Sequence, residues 1–337
     1  MTNIDPAGVG PAVPHDPELA AALPSILSLV PKFHGLESIP AARESGSARA
    51  TTQSAEALSR GGVFEVVERT VPGPAGAPDI ALLVVRPVAA MGSTPAFYYV
   101  HGGGMIIGDH RLIPDPYLDW AEEFGAAIVS VQYRLAPETR HPGPVEDCYA
   151  GLVWTTQRAE ELNIDPRRIV IMGPSAGAGL AAATALLARD RGGPALAAQM
   201  LMCPMLDDRN NTPSSIQEDG RGVWDRGANM LGWTALLGDA RGGPDVSPYG
   251  APARAVDLSN LPPTFIDVGS AETFRDEAVA YASAIWRAGG DAELHVFAGG
   301  FHGYEGLAPH AAISHDTRAA RLGWLRRNMR AQDEVRA

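Results

Sequence analysis

The chain has 337 residues, 45% of them apolar, with 27 Lys plus Arg against 39 Asp plus Glu and a formal net charge of -12. That length suits one large α/β core with an appendage. The acidic balance excludes nucleic acid and anionic membrane as partners, because both demand clustered cations; the charge is read as serving solubility.

Only Cys148 and Cys203 are present, each in an apolar stretch. They read as small core fillers in a reducing compartment, so a cytoplasmic location is expected. Met1–Asp16 carries no basic region followed by an apolar run, so no secretory signal is expected, and no apolar stretch is long enough to span a bilayer.

Residues 1–60 are rich in Ala, Pro, Ser and Gly and read as short helices and linkers. Alternation then begins: Val63–Arg69 and Ile80–Arg86 read as strands separated by Pro72-Gly73-Pro74. Ala96–Val100 and Ala126–Gln132 are short apolar strands. Val145, Cys148, Tyr149 and Leu152 fall at helical spacing. Arg168–Met172 is a further strand, and Ser175–Ala188 an Ala- and Leu-rich helix that should be buried. Met200–Met202, Thr264–Val268 and Glu293–Phe297 complete the strands. Strands alternating with helices predict a mostly parallel sheet covered on both faces. Residues 206–250, with Trp224 and Trp233, have weak strand character and read as an insertion that could form a lid with residues 1–60.

Three motifs carry chemistry. Gly173-Pro174-Ser175-Ala176-Gly177 follows an apolar strand and opens an apolar helix, the context of a strained turn that exposes a nucleophilic serine. A serine hydroxyl is a weak nucleophile at neutral pH and needs a base and oxyanion donors. His101-Gly102-Gly103-Gly104, after a strand, supplies backbone free to turn N–H groups toward a ligand. His302, in Phe301-His302-Gly303, lies after the last strand, where the order Ser, acid, His places the base.

His295 is expected to be structural, and His310 and His315 solvated. The acid should follow Thr264–Val268, and the candidates are Asp267, Glu272, Asp276 and Glu277. Asp267 lies inside the strand, and Asp276 has a capping box with Thr273 as its plain explanation. Glu272, in the loop, is favoured to orient His302.

At these residues the chain resembles the hormone-sensitive-lipase-like branch of the α/β-hydrolase superfamily, the bacterial carboxylesterases. The resemblance runs from about residue 63 to the C-terminus. It includes Tyr133-Arg134-Leu135-Ala136-Pro137-Glu138, Glu146-Asp147 and Glu272-Thr273-Phe274-Arg275-Asp276-Glu277. It departs from the family pattern in having Glu272 where Asp is usual and Pro174 where Asp commonly precedes the serine.

The resemblance implies an α/β-hydrolase fold with a helical cap, assembled as 1–60 (cap), 61–205 (core), 206–250 (cap insertion) and 251–337 (core). It implies a triad of Ser175, Glu272 and His302 and an oxyanion hole of the Gly103, Gly104 and Ala176 N–H groups. The expected activity is hydrolysis of short- to medium-chain carboxylic esters, small molecules, with no metal or organic cofactor required. Same-fold amidase or lactonase activity is the alternative, and a non-catalytic small-molecule receptor a remoter one. Dimers are compatible with this branch.

Overall fold

The computed structural model describes residues 8–44, 53–90 and 92–334; the parts of the N-terminal segment at 1–7 and 45–52 lie outside the described residues. Its centre is an eight-stranded sheet in the order β1-β2-β4-β3-β5-β6-β7-β8. The strands are β1 (Phe64–Val71), β2 (Ile80–Pro87), β3 (Thr94–Val100), β4 (Ala127–Gln132), β5 (Ile164–Pro174), β6 (Ala198–Met202), β7 (Thr264–Gly269) and β8 (Ala292–Phe297). β2 runs antiparallel to both β1 and β4, and the remaining pairs are parallel. Every expected strand is present. β5 begins earlier than its apolar run because Ile164 pairs with Thr94 across a register irregularity before the regular ladder starts at Ala96↔Ile169.

Burial follows from position in the sheet. Every residue of β3, β6 and β7 is buried, as strands covered on both faces require, whereas edge strand β1 is buried only at its two ends, Phe64 and Val71. Side chains of β3 alternate between two cores. Tyr98 and Val100 join Ile169, Ile171 and Leu201 on one face, while Phe97 and Tyr99 join Val170, Met172 and Met200 on the other.

The first face is covered by α5 (Gly143–Gln157), α7 (Ala176–Asp190) and α10 (Arg275–Arg287). The second is covered by α4 (Asp115–Phe124) and α12 (Ala312–Glu334). In α7 every residue from Ala176 to Ala188 is buried, and its small side chains let it sit close against β5. Among the described residues, no helix is long and apolar enough to cross a membrane.

The N-terminal region forms α1 (Pro17–Leu27), α2 (Ile39–Glu44) and α3 (Ala55–Ser59). Asp16 caps α1 by accepting from the Glu18 N–H at 2.9 Å. Residues between β6 and β7 carry α8 (Pro213–Gln217) and α9 (Arg226–Leu237), and no strand. These two regions meet: the Phe33 and Trp224 rings pack edge to face with centroids 6.0 Å apart. Gln217 Nε2 also donates to the Pro11 carbonyl at 2.9 Å.

Candidate active site

Ser175, Cys203, Glu272 and His302 follow β5, β6, β7 and β8 in turn, so parallel pairing brings their loops to one edge of the sheet. This is the carboxyl edge, where open α/β sheets bind ligands. Ser175 sits between β5 and α7 with φ 57° and ψ -124°, a strained backbone for a residue with a Cβ. Its carbonyl accepts from the Gly179 and Met205 N–H groups, both at 3.1 Å, which fixes the turn. The flanking glycines are dictated by proximity. A Cβ on Gly173 would stand 2.4 Å from the Val100 carbonyl oxygen, and one on Gly177 would stand 2.1 Å from the same atom.

Ser175 Oγ lies 2.9 Å from His302 Nε2, and His302 Nδ1 lies 3.0 Å from Glu272 Oε1. With the carboxylate accepting from Nδ1–H, Nε2 is left as the acceptor for the serine O–H. The other carboxylate oxygen, Oε2, accepts from the Gly269 N–H at 3.0 Å. Glu272 is 2% exposed, so its geometry is set by these two partners and not by water. The Phe274 ring meets the His302 ring edge-on, with centroids 5.0 Å apart, and limits its tilt.

The other candidate acids are committed elsewhere. Asp267 pairs with Arg321, and Glu277 accepts from the Leu206 and Asp207 N–H groups. The capping box expected of Thr273 and Asp276 does not form. Thr273 Oγ1 donates to the Trp224 carbonyl at 2.8 Å, and Asp276 Oδ2 accepts from the Ser214 N–H at 2.7 Å. Tertiary contacts with the β6–β7 connection have replaced the local cap. His295 lies in β8 bonded to Glu293, and His310 and His315 are exposed, as expected.

Gly103 and Gly104 adopt φ of +115° and +61°. A Cβ on Gly103 would stand 2.1 Å from the Ile107 carbonyl oxygen, and one on Gly104 would stand 2.3 Å from the Trp224 ring. Both positions therefore require glycine. Among the described residues, none accepts a hydrogen bond from either N–H. Ala176 is the first residue of α7, so its N–H has no carbonyl one turn back. Gly102 packs the loop against the serine turn, its Cβ direction 3.6 Å from Ser175 Cβ.

Three further groups hold this loop. His101 is fully buried, stacked on Tyr133 with centroids 4.2 Å apart, and its Nδ1 lies 2.8 Å from the Gly102 carbonyl oxygen. Burial pushes its pKa down to about 4, outweighing the upward pull of the Gly102 carbonyl. Tyr133 Oη donates to the His101 carbonyl at 2.9 Å. Arg43, from α2, donates to the carbonyls of Ile106 and Ala136, each at 2.7 Å, and clasps Glu138 through two 2.9 Å bonds.

The next residue after Tyr133 serves the fold: Arg134 Nε and Nη2 hold buried Asp147 at 2.8 Å and 2.7 Å. Glu146 pairs outward with Arg191. Arg43 has no signal in the sequence, because its short helix α2 carries no motif.

Cys203 also escaped notice as a neighbour of the site. It has φ 39° and is 4% exposed, and burial together with the Glu272 charge pushes its thiol pKa well up. Of the two tryptophans in the 206–250 insertion, Trp224 reaches Gly104. Trp233 is fully buried in the main core, where it fills space between helices.

The strand order, the serine turn after β5 and the late histidine define an α/β-hydrolase. A family model described as the alpha/beta hydrolase fold matches residues 97–306. The chain is 34% identical over 279 residues to carboxylesterase NlhH of Mycobacterium tuberculosis, covering 80% of this chain and 84% of that protein. Among solved structures it is similar to a bacterial heroin esterase, with TM-score 0.84 and 39% identity, covering 94% of this chain and 98% of that one. It is also similar to esterase LipW from Mycobacterium marinum, with TM-score 0.80 and 32% identity over 94% and 98% of the two chains. The chain belongs to the α/β-hydrolase superfamily, in its hormone-sensitive-lipase-like branch of bacterial carboxylesterases.

Proposed function

We propose that this carboxylic ester hydrolase works through an acyl-enzyme formed on Ser175, with His302 as base and acid and Glu272 as its orienting carboxylate. The observation that carries the reading is the unbroken chain Ser175 Oγ to His302 Nε2 (2.9 Å) and Nδ1 to Glu272 Oε1 (3.0 Å). As Oγ attacks the ester carbonyl carbon, its proton passes to Nε2. The carbonyl oxygen, now anionic, takes hydrogen bonds from the N–H groups of Gly103, Gly104 and Ala176. Collapse breaks the bond to the alcohol, which leaves with the proton from Nε2. Water then gives a proton to Nε2 as it attacks the acyl carbon, and the second collapse frees the acid and returns the proton to Oγ. Glu272 holds Nδ1–H throughout and stabilises the imidazolium.

The substrates are small esters with short to medium acyl chains. The Trp224 ring, pressed against Gly104, supports this preference by narrowing the space beside the oxyanion donors. The helical cap consists of residues 1–60 and 206–250 over a core of 61–205 and 251–337, a division supported by the Phe33–Trp224 contact. Two free, buried cysteines suit a cytoplasmic location. A homodimer is the assembly to be checked by sedimentation.

Replacing Ser175 with Ala tests the reading. Hydrolysis of p-nitrophenyl butyrate should fall to the background of the uncatalysed reaction, and a fluorophosphonate probe should label the wild type alone. Activity kept at the wild-type level, or labelling unchanged in the variant, would overturn it.

A further inference from the structure

Cys203 is a buried thiol that the ester hydrolysis does not use. Its Sγ, a carboxylate oxygen of Glu272 and a ring nitrogen of His302 all lie within 4.8 Å of one another. Among the described residues it is the one group of three such donors this close together. An apolar side chain would fill the same volume, so packing alone does not call for a thiol there.

Thiolate, imidazole and carboxylate are the donor set of zinc, whose tetrahedral sites tolerate an open fourth position. Metal–donor distances of about 2.0–2.3 Å put tetrahedral donors about 3.3–3.8 Å apart. The donors, within 4.8 Å of one another, must close to that spacing while Nδ1 and Oε1 part slightly from 3.0 Å. Charge fits as well. One thiolate and one carboxylate neutralise a divalent cation, so the filled site carries no net charge in its buried pocket.

We propose that Cys203, Glu272 and His302 form an inhibitory site for a thiophilic divalent cation such as Zn2+ or Cd2+. Coordination through Nδ1, the ring nitrogen facing Glu272, moves the ring proton to Nε2. The thiol releases its proton to solvent, so one proton leaves per cation bound. His302 then stays neutral but presents N–H to Ser175, and it no longer accepts the serine proton. The metal thus disables the base without displacing it. The activity readout of this inference rests on the reading of Ser175 and His302 given above; the spectroscopic readout does not.

The test uses the full chain, stripped of metal by a chelator. Zinc chloride should lower kcat/KM for p-nitrophenyl butyrate by about tenfold or more, and EDTA should restore it. Cys203→Ala and Cys203→Ser should hydrolyse the ester without metal and lose the sensitivity to zinc. Titration with Cd2+ should give the ultraviolet charge-transfer band of a cadmium thiolate, saturating at a single equivalent in the wild type. The band should be absent from both variants, which retain Cys148. Equal zinc inhibition in wild type and variants, or no thiolate band in the wild type, would overturn the site. An enzyme inactive before any metal is added would instead count against the esterase reading, with the cadmium band still deciding the site.

Discussion

Arg321 and Asp267 form an ion pair sealed from solvent, with Nη2 3.0 Å from Oδ1 and side chains only 3% and 2% exposed. Arg321 Nη1 also reaches Glu305 Oε1 at 2.9 Å. Asp267 belongs to β7, the strand that leads to Glu272, and Glu305 belongs to α11 (Tyr304–Leu307), which follows His302. One guanidinium from α12 therefore ties the strand leading to Glu272 to the helix that follows His302. Burial alone would push the Glu305 carboxyl up, but Arg321 beside it holds it below the usual range.

Arg321→Met leaves buried Asp267 and mostly buried Glu305 without their cation, and removing one partner of such a network costs about 3–5 kcal/mol. Urea denaturation should show a loss of that size in the variant. A stability within experimental error of wild type would mean that the network contributes nothing net.

The buried imidazole of His101 makes a pH prediction. Its folded pKa, about 4, lies below the ordinary value of 6.5. Between those values the unfolded chain binds the proton and the folded chain does not, so stability rises with pH across that window. The contribution is fully present above pH 6.5 and is lost as pH falls toward 4. Proton linkage across a window of this width corresponds to about 3 kcal/mol. His101→Phe keeps an aromatic ring against Tyr133 and cannot titrate. Its urea midpoint should depend less steeply on pH across this window than that of the wild type; identical slopes would refute the assignment.

Glu272→Gln isolates charge from shape. The amide can fill the carboxylate's place but cannot stabilise an imidazolium, and it can bond the wrong tautomer of His302. In serine hydrolysis of this design the corresponding loss in kcat is about 10^4-fold. A comparable fall with a modest change in KM is expected in steady-state kinetics. A variant within tenfold of wild type would move the orienting role to another group.

The core and the loops carrying Ser175, Glu272 and His302 were legible because local chemistry dictates them. Ser175 lies where apolar β5 meets Ala-rich α7, and Gly173 and Gly177 are forced by the carbonyl of Val100. His302 was placed by chain order, and Glu272 by the freedom of its loop. What was not legible depends on contacts distant in sequence. Asp276 left its capping box for Ser214 in the β6–β7 connection, and Cys203 entered the site because β6 lies beside β7. Trp233 belongs to the same insertion as Trp224 but sits in the core, since composition does not show which face of α9 packs inward. Arg43 carries no local signal at all; its meaning lies in carbonyls far along the chain.

Arg43 gives the last prediction. The loop bearing Gly103 and Gly104 continues to Ile106, whose carbonyl accepts from Arg43 Nε, while the Ala136 N–H bonds the Met105 carbonyl at 2.9 Å. Arg43 also bonds the Ala136 carbonyl, so it fastens both segments to each other and to α2. Oxyanion donors act by being fixed before charge develops, and a misplacement near 1 Å can cost about 100-fold. Arg43→Ala should therefore lower kcat by about 10- to 100-fold with little change in KM, because the ground-state ester asks less of those donors than the tetrahedral state does. Arg43→Lys, which keeps the charge but not the fork, should fall between, and added guanidinium ion should restore part of the rate to the alanine variant. A loss confined to KM, or a kcat unaffected by the alanine change, would show that α2 merely covers the loop and does not hold it in place.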